Sequence, residues 1–203
     1  MVPVSYLFLG ATAWPFVHGL YRYQVSGLEN LPAEGGFVLA ANHNSNFDPW
    51  PLGMALWPHR QLRFMAKSEL FNPVMKPVLR SSGAFPVRRG EGDLDALKTA
   101  MRLAHDGEIV AMFPEGTRPS KGLRKKHESR PHTGAARIAI GAHVPLVPAA
   151  LKGTDGLSRL QRLQVSYGTP IDISDLAGEP ARDAAQVATD RLMAAIHALH
   201  AEL

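Results

Sequence analysis

A chain of 203 residues, 45% hydrophobic and 20% charged, is long enough to form one domain with a sizeable core. It contains no cysteine, which excludes disulfides, thiolate metal sites and a cysteine nucleophile. The formal net charge of +4 suits anionic partners: a phospholipid surface, a phosphorylated substrate or nucleic acid.

Val2 to Tyr21 is largely apolar and carries Tyr6, Phe8, Trp14, Phe16 and Tyr21. Its length matches a membrane span of about twenty residues, but Pro3, Gly10, Pro15 and His18 weaken it as a straight spanning helix. No basic residue precedes it and no small-residue cleavage site follows, so no secretory signal is expected. Aromatics gathered toward one end favour an interfacial element with its rings at headgroup depth. Residues 1–21 are therefore expected to attach the chain to a membrane, ahead of a single domain over residues 22–203. A true span and an ordinary packed helix are the alternatives. For a span, Arg22 would favour a cytoplasmic domain.

Arg22 to Gly27 reads as an edge strand. Phe37-Val38-Leu39-Ala40-Ala41 reads as a buried one, being short, apolar and bounded by glycines and polar residues. Asn42-His43-Asn44-Ser45-Asn46-Phe47-Asp48-Pro49 follows. Asp48-Pro49 suits the start of a helix, because the carboxylate can accept from orphan amides and proline at the first position loses no hydrogen bond. His43 is then expected at the carboxyl end of a strand, with Asp48 folded back toward it. A carboxylate beside an imidazole fixes its tautomer and stabilises the imidazolium that forms on protonation. The plainer alternative leaves Asp48 as a helix cap and His43 as a loop histidine.

Leu62 to Ala66 reads as a strand, with Lys67 at its end and a helix from Ser68 that Pro73 and Pro77 bend or interrupt. Gly83 to Gly90 is a short strand ending in Arg88 and Arg89. Asp93 to His105 is the clearest helix, with Asp93 as cap, Leu94, Leu97 and Met101 on one face and Gly107 beyond its end. Glu108 to Phe113 reads as a second buried strand, and Pro114-Glu115-Gly116-Thr117-Arg118-Pro119 follows at once. Polar residues again cluster where a strand ends, which is where open α/β sheets place their ligand crevices. A helix over 133–141, strands around Val147 and over 163–168, a surface loop over 172–182 and an amphipathic helix over 181–203 complete the chain. There are no internal repeats and no dividing linker. The expected fold is α/β: a single domain with a largely parallel or mixed central sheet flanked by helices, plus the apolar N-terminal helix.

Three other chemistries find little support. Ser45 lies near His43, but the chain has no Gly-x-Ser-x-Gly elbow, so Ser45 reads as a loop hydroxyl. His127 and His132 flank a basic run without a clear third ligand, so no metal site is expected. Nothing matches a zinc-finger, RNA-binding or basic-zipper pattern, so no nucleic-acid partner is expected.

Four blocks in order resemble the lysophosphatidate acyltransferase family of glycerolipid acyltransferases. The stretch from Asn42 to Pro49 is similar to that family's His-x4-Asp block, and Gly83 to Gly90 to its arginine block. Pro114 to Pro119 resembles its Glu-Gly-Thr-Arg block, and Val144 to Leu151 its proline-containing strand. The resemblance covers roughly residues 25–155, a span typical of one domain. It implies an O-acyltransferase that moves a fatty acyl chain from a thioester, acyl-CoA or acyl-carrier protein, to the hydroxyl of lysophosphatidate. The donor is a substrate, and no cofactor is implied. His43 would be the general base and Asp48 its orienting partner. Arg89, Glu115, Gly116, Thr117 and Arg118 would bind the acceptor, the guanidinium forks suiting phosphate. Lys67 is a candidate for stabilising the thioester oxyanion, or a surface lysine.

The basic run Lys121, Arg124, Lys125, Lys126 and Arg130 is either a solvated loop or a contact for anionic lipid, coenzyme A phosphates or an acidic carrier. One departure stands out. Where many relatives place an aromatic-lysine pair, this chain has Pro131-His132-Thr133-Gly134, which bears on acceptor identity. The expected partners are membrane phospholipids, a lysophospholipid acceptor and the thioester donor, at the cytoplasmic face of the cell membrane. The rival readings are the same chemistry on another lysolipid or glycolipid, and a noncatalytic peripheral protein that binds anionic lipid.

Overall fold

The computed structural model describes residues 2–87, 94–116 and 131–203. Its centre is a seven-stranded sheet in the order β1-β7-β6-β2-β5-β3-β4. The strands are β1 (Gln24–Ser26), β2 (Phe37–Ala41), β3 (Leu62–Lys67), β4 (Ala84–Val87), β5 (Ile109–Met112), β6 (Leu146–Lys152) and β7 (Gln164–Tyr167). β2 pairs in parallel with both β5 and β6, β3 pairs in parallel with β4 and β5, and β6 pairs antiparallel with β7. The carboxyl ends of β2 to β6 therefore share one edge. β1, parallel to β7, begins at that same edge.

β2 is buried at every position, as its unbroken apolar run requires of a central strand covered on both faces. The helices are α1 (Val4–Gly19), α2 (Pro49–Met54), α3 (Met75–Ser81), α4 (Leu94–His105), α5 (Gly134–Ala142) and α6 (Ala181–Ala201). One core layer packs Val38, Ala40 and Val110 of the sheet against Ala100 and Ala104 of α4, Ile138 of α5, and Leu192 and Ile196 of α6. The opposite layer joins Phe37, Leu39, Phe64 and Ile109 to Leu52 of α2, with Leu79 of α3 packed at its margin. α1 lies outside this second layer, against α2 and α3.

The helix expected from Ser68 is interrupted. A 3-10 turn over Ser68–Leu70 is followed by α3 at Met75, and Asn72-Pro73 falls in the break, where Asn72 Oδ1 accepts from the Val74 and Met75 N–H groups. The segment expected at 1–21 is a continuous helix despite Pro15 inside it. It carries apolar residues on every side, and the stripe Tyr6, Gly10 and Val17 is buried against the domain. Among the described residues no helix is long and apolar enough to cross a membrane.

Candidate active site

β2 and β5 are neighbours whose onward connections part. The chain leaving β2 enters α2 on one face of the sheet, whereas α5, the helix between β5 and β6, lies on the other. Such a divergence opens a crevice at the carboxyl edge. His43 follows β2 there, and Glu115 follows β5.

The loop over residues 42–48 is held by its own polar groups. The Asn42 amide donates to the Leu151 carbonyl and its Oδ1 accepts the Leu151 N–H, both at 2.9 Å. This clamps the end of β2 to the end of β6. Asn44 Nδ2 donates to the same carbonyl at 3.2 Å. Asp48 is fully buried. Its Oδ2 accepts from His43 Nδ1 at 2.7 Å, from the Asn44 N–H at 2.7 Å and from the Ser45 N–H at 2.8 Å. The expected helix cap is corrected here: Asp48 makes no side-chain cap bond to α2. The carboxylate instead points back into its own loop, where three donors converge on one oxygen. Ser45 is a loop hydroxyl whose Oγ accepts the Phe47 N–H.

A carboxylate can only accept, so this contact places the ring proton on His43 Nδ1 and leaves the Nε2 lone pair as the basic site. The His43 side chain is 9% exposed, and its ring stacks on Phe113 with centroids 4.4 Å apart and planes 24° from parallel. Glu115 Oε2 accepts the His43 backbone N–H at 3.3 Å. The loops after β2 and β5 are thus tied together by a ring stack and a charge-assisted hydrogen bond.

α2, which leads away from Asp48, is held from below. The Tyr167 hydroxyl donates to the Leu52 carbonyl at 2.7 Å, and the Tyr23 hydroxyl to the Pro51 carbonyl at 2.5 Å. Burial pushes the ionisation of both phenols well up, so they remain donors.

Gly116 has φ of +66°, the left-handed region that glycine enters without strain. A Cβ there would overlap the His132 ring, so the close approach that this glycine admits is that of His132. Lys67 is exposed at the end of β3, on the same edge but two strands from β2. Arg89, Thr117 and Arg118 lie outside the described residues, as do Arg88 and the basic run from Lys121 to Arg130. Among the described residues no group of three or more His, Asp or Glu side chains could hold a metal.

Sequence reasoning missed Asn42, Phe113 and the backbone of Leu151 as parts of this site. Asn42 had a signal, an amide ending a wholly apolar strand. The stack of Phe113 on His43 had none, because it depends on β2 and β5 being neighbours.

Beside α2, Pro49, Trp50, Gly53, Met54 and Trp57 meet Tyr6, Leu9 and Gly10 of α1 around a small apolar pocket of about 50 Å³. The pocket begins one residue from Asp48. Gly10 lets α1 approach closely, since a Cβ there would overlap the Trp57 indole.

Comparison with known proteins agrees with this architecture. A family model described as Acyltransferase matches residues 22–152. The chain is 35% identical over 184 residues to a 1-acyl-sn-glycerol-3-phosphate acyltransferase of Bacillus subtilis, covering 89% of each. It is 34% identical over 145 residues to the enzyme of that name from Streptococcus pneumoniae, covering 69% of this chain and 52% of that one. In fold it is similar to the crystal structure of a 1-acyl-sn-glycerophosphate acyltransferase from Thermotoga maritima. That match has a TM-score of 0.65 and 24% identity, and covers 96% of this chain and 78% of that one. The four sequence blocks, the α/β sheet and these relatives agree: the chain belongs to the acyltransferase family and is an enzyme of that class.

Proposed function

We propose that this enzyme transfers a fatty acyl group from a thioester to the free hydroxyl of lysophosphatidate, giving phosphatidate. The observation that carries the mechanism is the 2.7 Å contact between His43 Nδ1 and an Asp48 oxygen held by two backbone N–H groups. With Nδ1 so engaged, Nε2 takes the proton of the acceptor hydroxyl as its oxygen attacks the thioester carbon. The C–O bond forms, the C–S bond breaks, and the imidazolium returns its proton to the departing thiolate. A thioester is already activated, so positioning and base catalysis suffice without a covalent enzyme intermediate. Both acyl-CoA and acyl-carrier protein present this group, and the mechanism is the same for either.

Arg89 and Arg118 are the proposed grips on the acceptor phosphate, Glu115, Gly116 and Thr117 are proposed to bind the acceptor with them, and Lys67, at the end of β3, is proposed to meet the donor. The acyl chain is assigned to the apolar pocket that begins at Pro49, whose volume of about 50 Å³ takes only a short part of it, and to the exposed apolar side chains of α1 and α2 around its mouth. Attachment to the cytoplasmic face of the membrane is assigned to α1, whose outward side chains Val4, Phe8, Trp14 and Phe16 are all exposed. Large exposed apolar patches mark such interaction surfaces.

The test is thioester consumption by the purified enzyme over a panel of acceptors, with and without a phosphate monoester. The expected result is transfer to lysophosphatidate at ten times or more the kcat/KM for monoacylglycerol, on the order of one charge-assisted contact. Consumption with no acceptor in the panel would reject the reading. Equal use of neutral and phosphorylated acceptors would retain the chemistry and reject the acceptor.

A further inference from the structure

We propose that His132 is a specificity-determining residue, its ring donating a hydrogen bond to the phosphate of the acceptor. The inference rests on the acceptor class proposed above. The His132 backbone N–H donates to the Pro114 carbonyl at 2.7 Å, which fixes this residue beside the turn that carries Glu115. Its ring lies over Gly116, with Cδ2 and Nε2 occupying the space that a Cβ on that residue would need. Gly116 itself bonds back, its N–H donating to the Phe113 carbonyl at 3.0 Å. Phe113 in turn stacks on His43, and Glu115 accepts the His43 N–H. A single turn of chain thus carries contacts to the reacting histidine on one side and a second imidazole on the other.

That second imidazole has a free hand. His132 is solvent-exposed, and no side-chain hydrogen bond or ion pair of its ring occurs among the described residues. A ring needed only to fill space over Gly116 would not have to be imidazole. An imidazole there presents a directional N–H donor, and a phosphate monoester supplies up to three acceptor oxygens for it. The acceptor's hydroxyl and phosphate are joined by a short glycerol backbone. With the hydroxyl at His43, the phosphate falls within the same cluster of loops, and His132 meets it from α5's side of the crevice.

Two substitutions separate donation from packing. His132→Phe keeps a ring over Gly116 and removes the N–H, whereas His132→Gln keeps an N–H donor and removes the ring. The measurement is the ratio of kcat/KM for lysophosphatidate to that for monoacylglycerol, in the full chain with one thioester donor, after circular dichroism has established that each variant is folded. The expected result is about a tenfold or larger fall in the ratio for His132→Phe, carried mainly by KM for lysophosphatidate. For His132→Gln the ratio stays within about threefold of the wild type. A wild-type ratio in His132→Phe would overturn the proposal and leave His132 as cover for Gly116. So would a His132→Gln ratio as low as that of His132→Phe, or equal losses on both acceptors. A wild type with no preference for the phosphorylated acceptor would overturn the acceptor reading as well; an intact preference unaffected by His132→Phe would overturn this inference alone.

Discussion

On one face of the sheet, α6 buries Ala184, Ala185, Ala188, Leu192 and Ile196 and leaves Val187 as its large exposed apolar residue. On the other, α1 buries Tyr6, Gly10 and Val17 while Val4, Phe8, Trp14 and Phe16 stand 81%, 72%, 47% and 59% exposed. The same face carries exposed Phe47 and Trp50 beside the site, and Val74, Met75 and Val78 at α3. The contrast shows that folding accounts for one face and not for the other. The α4–α6 side has a buried apolar core beneath helices whose outer surfaces are largely polar. The α1–α3 side keeps an apolar surface that water covers poorly, directly adjoining the loop that carries His43 and Asp48. A face of that kind supports the attachment proposed for α1, by which a lipid substrate would pass from bilayer to site without crossing water.

Three experiments break or sharpen this contrast, in order of their expected effect on stability. On the closed face, Leu192→Ala removes a fully buried side chain and is expected to cost about 2–5 kcal/mol, read from urea unfolding. Turnover per folded molecule should hardly change. On the open face, Gly10→Leu forces a side chain into the Trp57 indole. Overpacking of this kind costs about 1–3 kcal/mol, and displacement of α1 should disturb the apolar pocket. Transfer of long acyl chains is therefore expected to fall more than transfer of short ones. If chain length makes no difference, the acyl group lies elsewhere. The smallest stability effect belongs to the double substitution Phe8→Ser and Trp14→Ser, within about 0.5 kcal/mol because both side chains are exposed. Vesicle sedimentation should nevertheless weaken by about tenfold or more, since apolar area is lost from the docking face. Unchanged sedimentation would remove α1 as the attachment.

Much of this was legible in the sequence, because the signals were local. The unbroken apolar run Phe37–Ala41 is what a central strand covered on both faces requires, and Asp48-Pro49 does begin a helix. The spacing from His43 to Asp48 placed the pair across one short loop. The role of the Asp48 carboxylate was less legible. Capping and backward folding use the same residue at the same position, and only the geometry of the Asn44 and Ser45 N–H groups decides between them. What escaped altogether depends on strand order. Phe113 on His43, Glu115 on the His43 N–H and Asn42 on Leu151 are contacts between strands far apart in the chain. No local pattern encodes that β2 lies between β5 and β6. The N-terminal helix itself was legible from its apolar composition. Pro3, Gly10 and Pro15 weakened it as a straight span, yet Pro3 sits at its N-cap and Gly10 is where it touches Trp57.

The central claim is that His43 removes the acceptor proton and that Asp48 orients it for that task. Steady-state turnover on lysophosphatidate, compared among the folded wild type, His43→Ala and Asp48→Asn, tests it most directly. Positioned base catalysis contributes about 10²–10⁴-fold, so His43→Ala is expected to lose at least about a hundredfold in kcat while still sedimenting with vesicles. Asp48→Asn keeps an accepting oxygen in the loop but removes the charge that stabilises the imidazolium, and should lose a comparable factor. Near-normal turnover in His43→Ala would contradict the account outright.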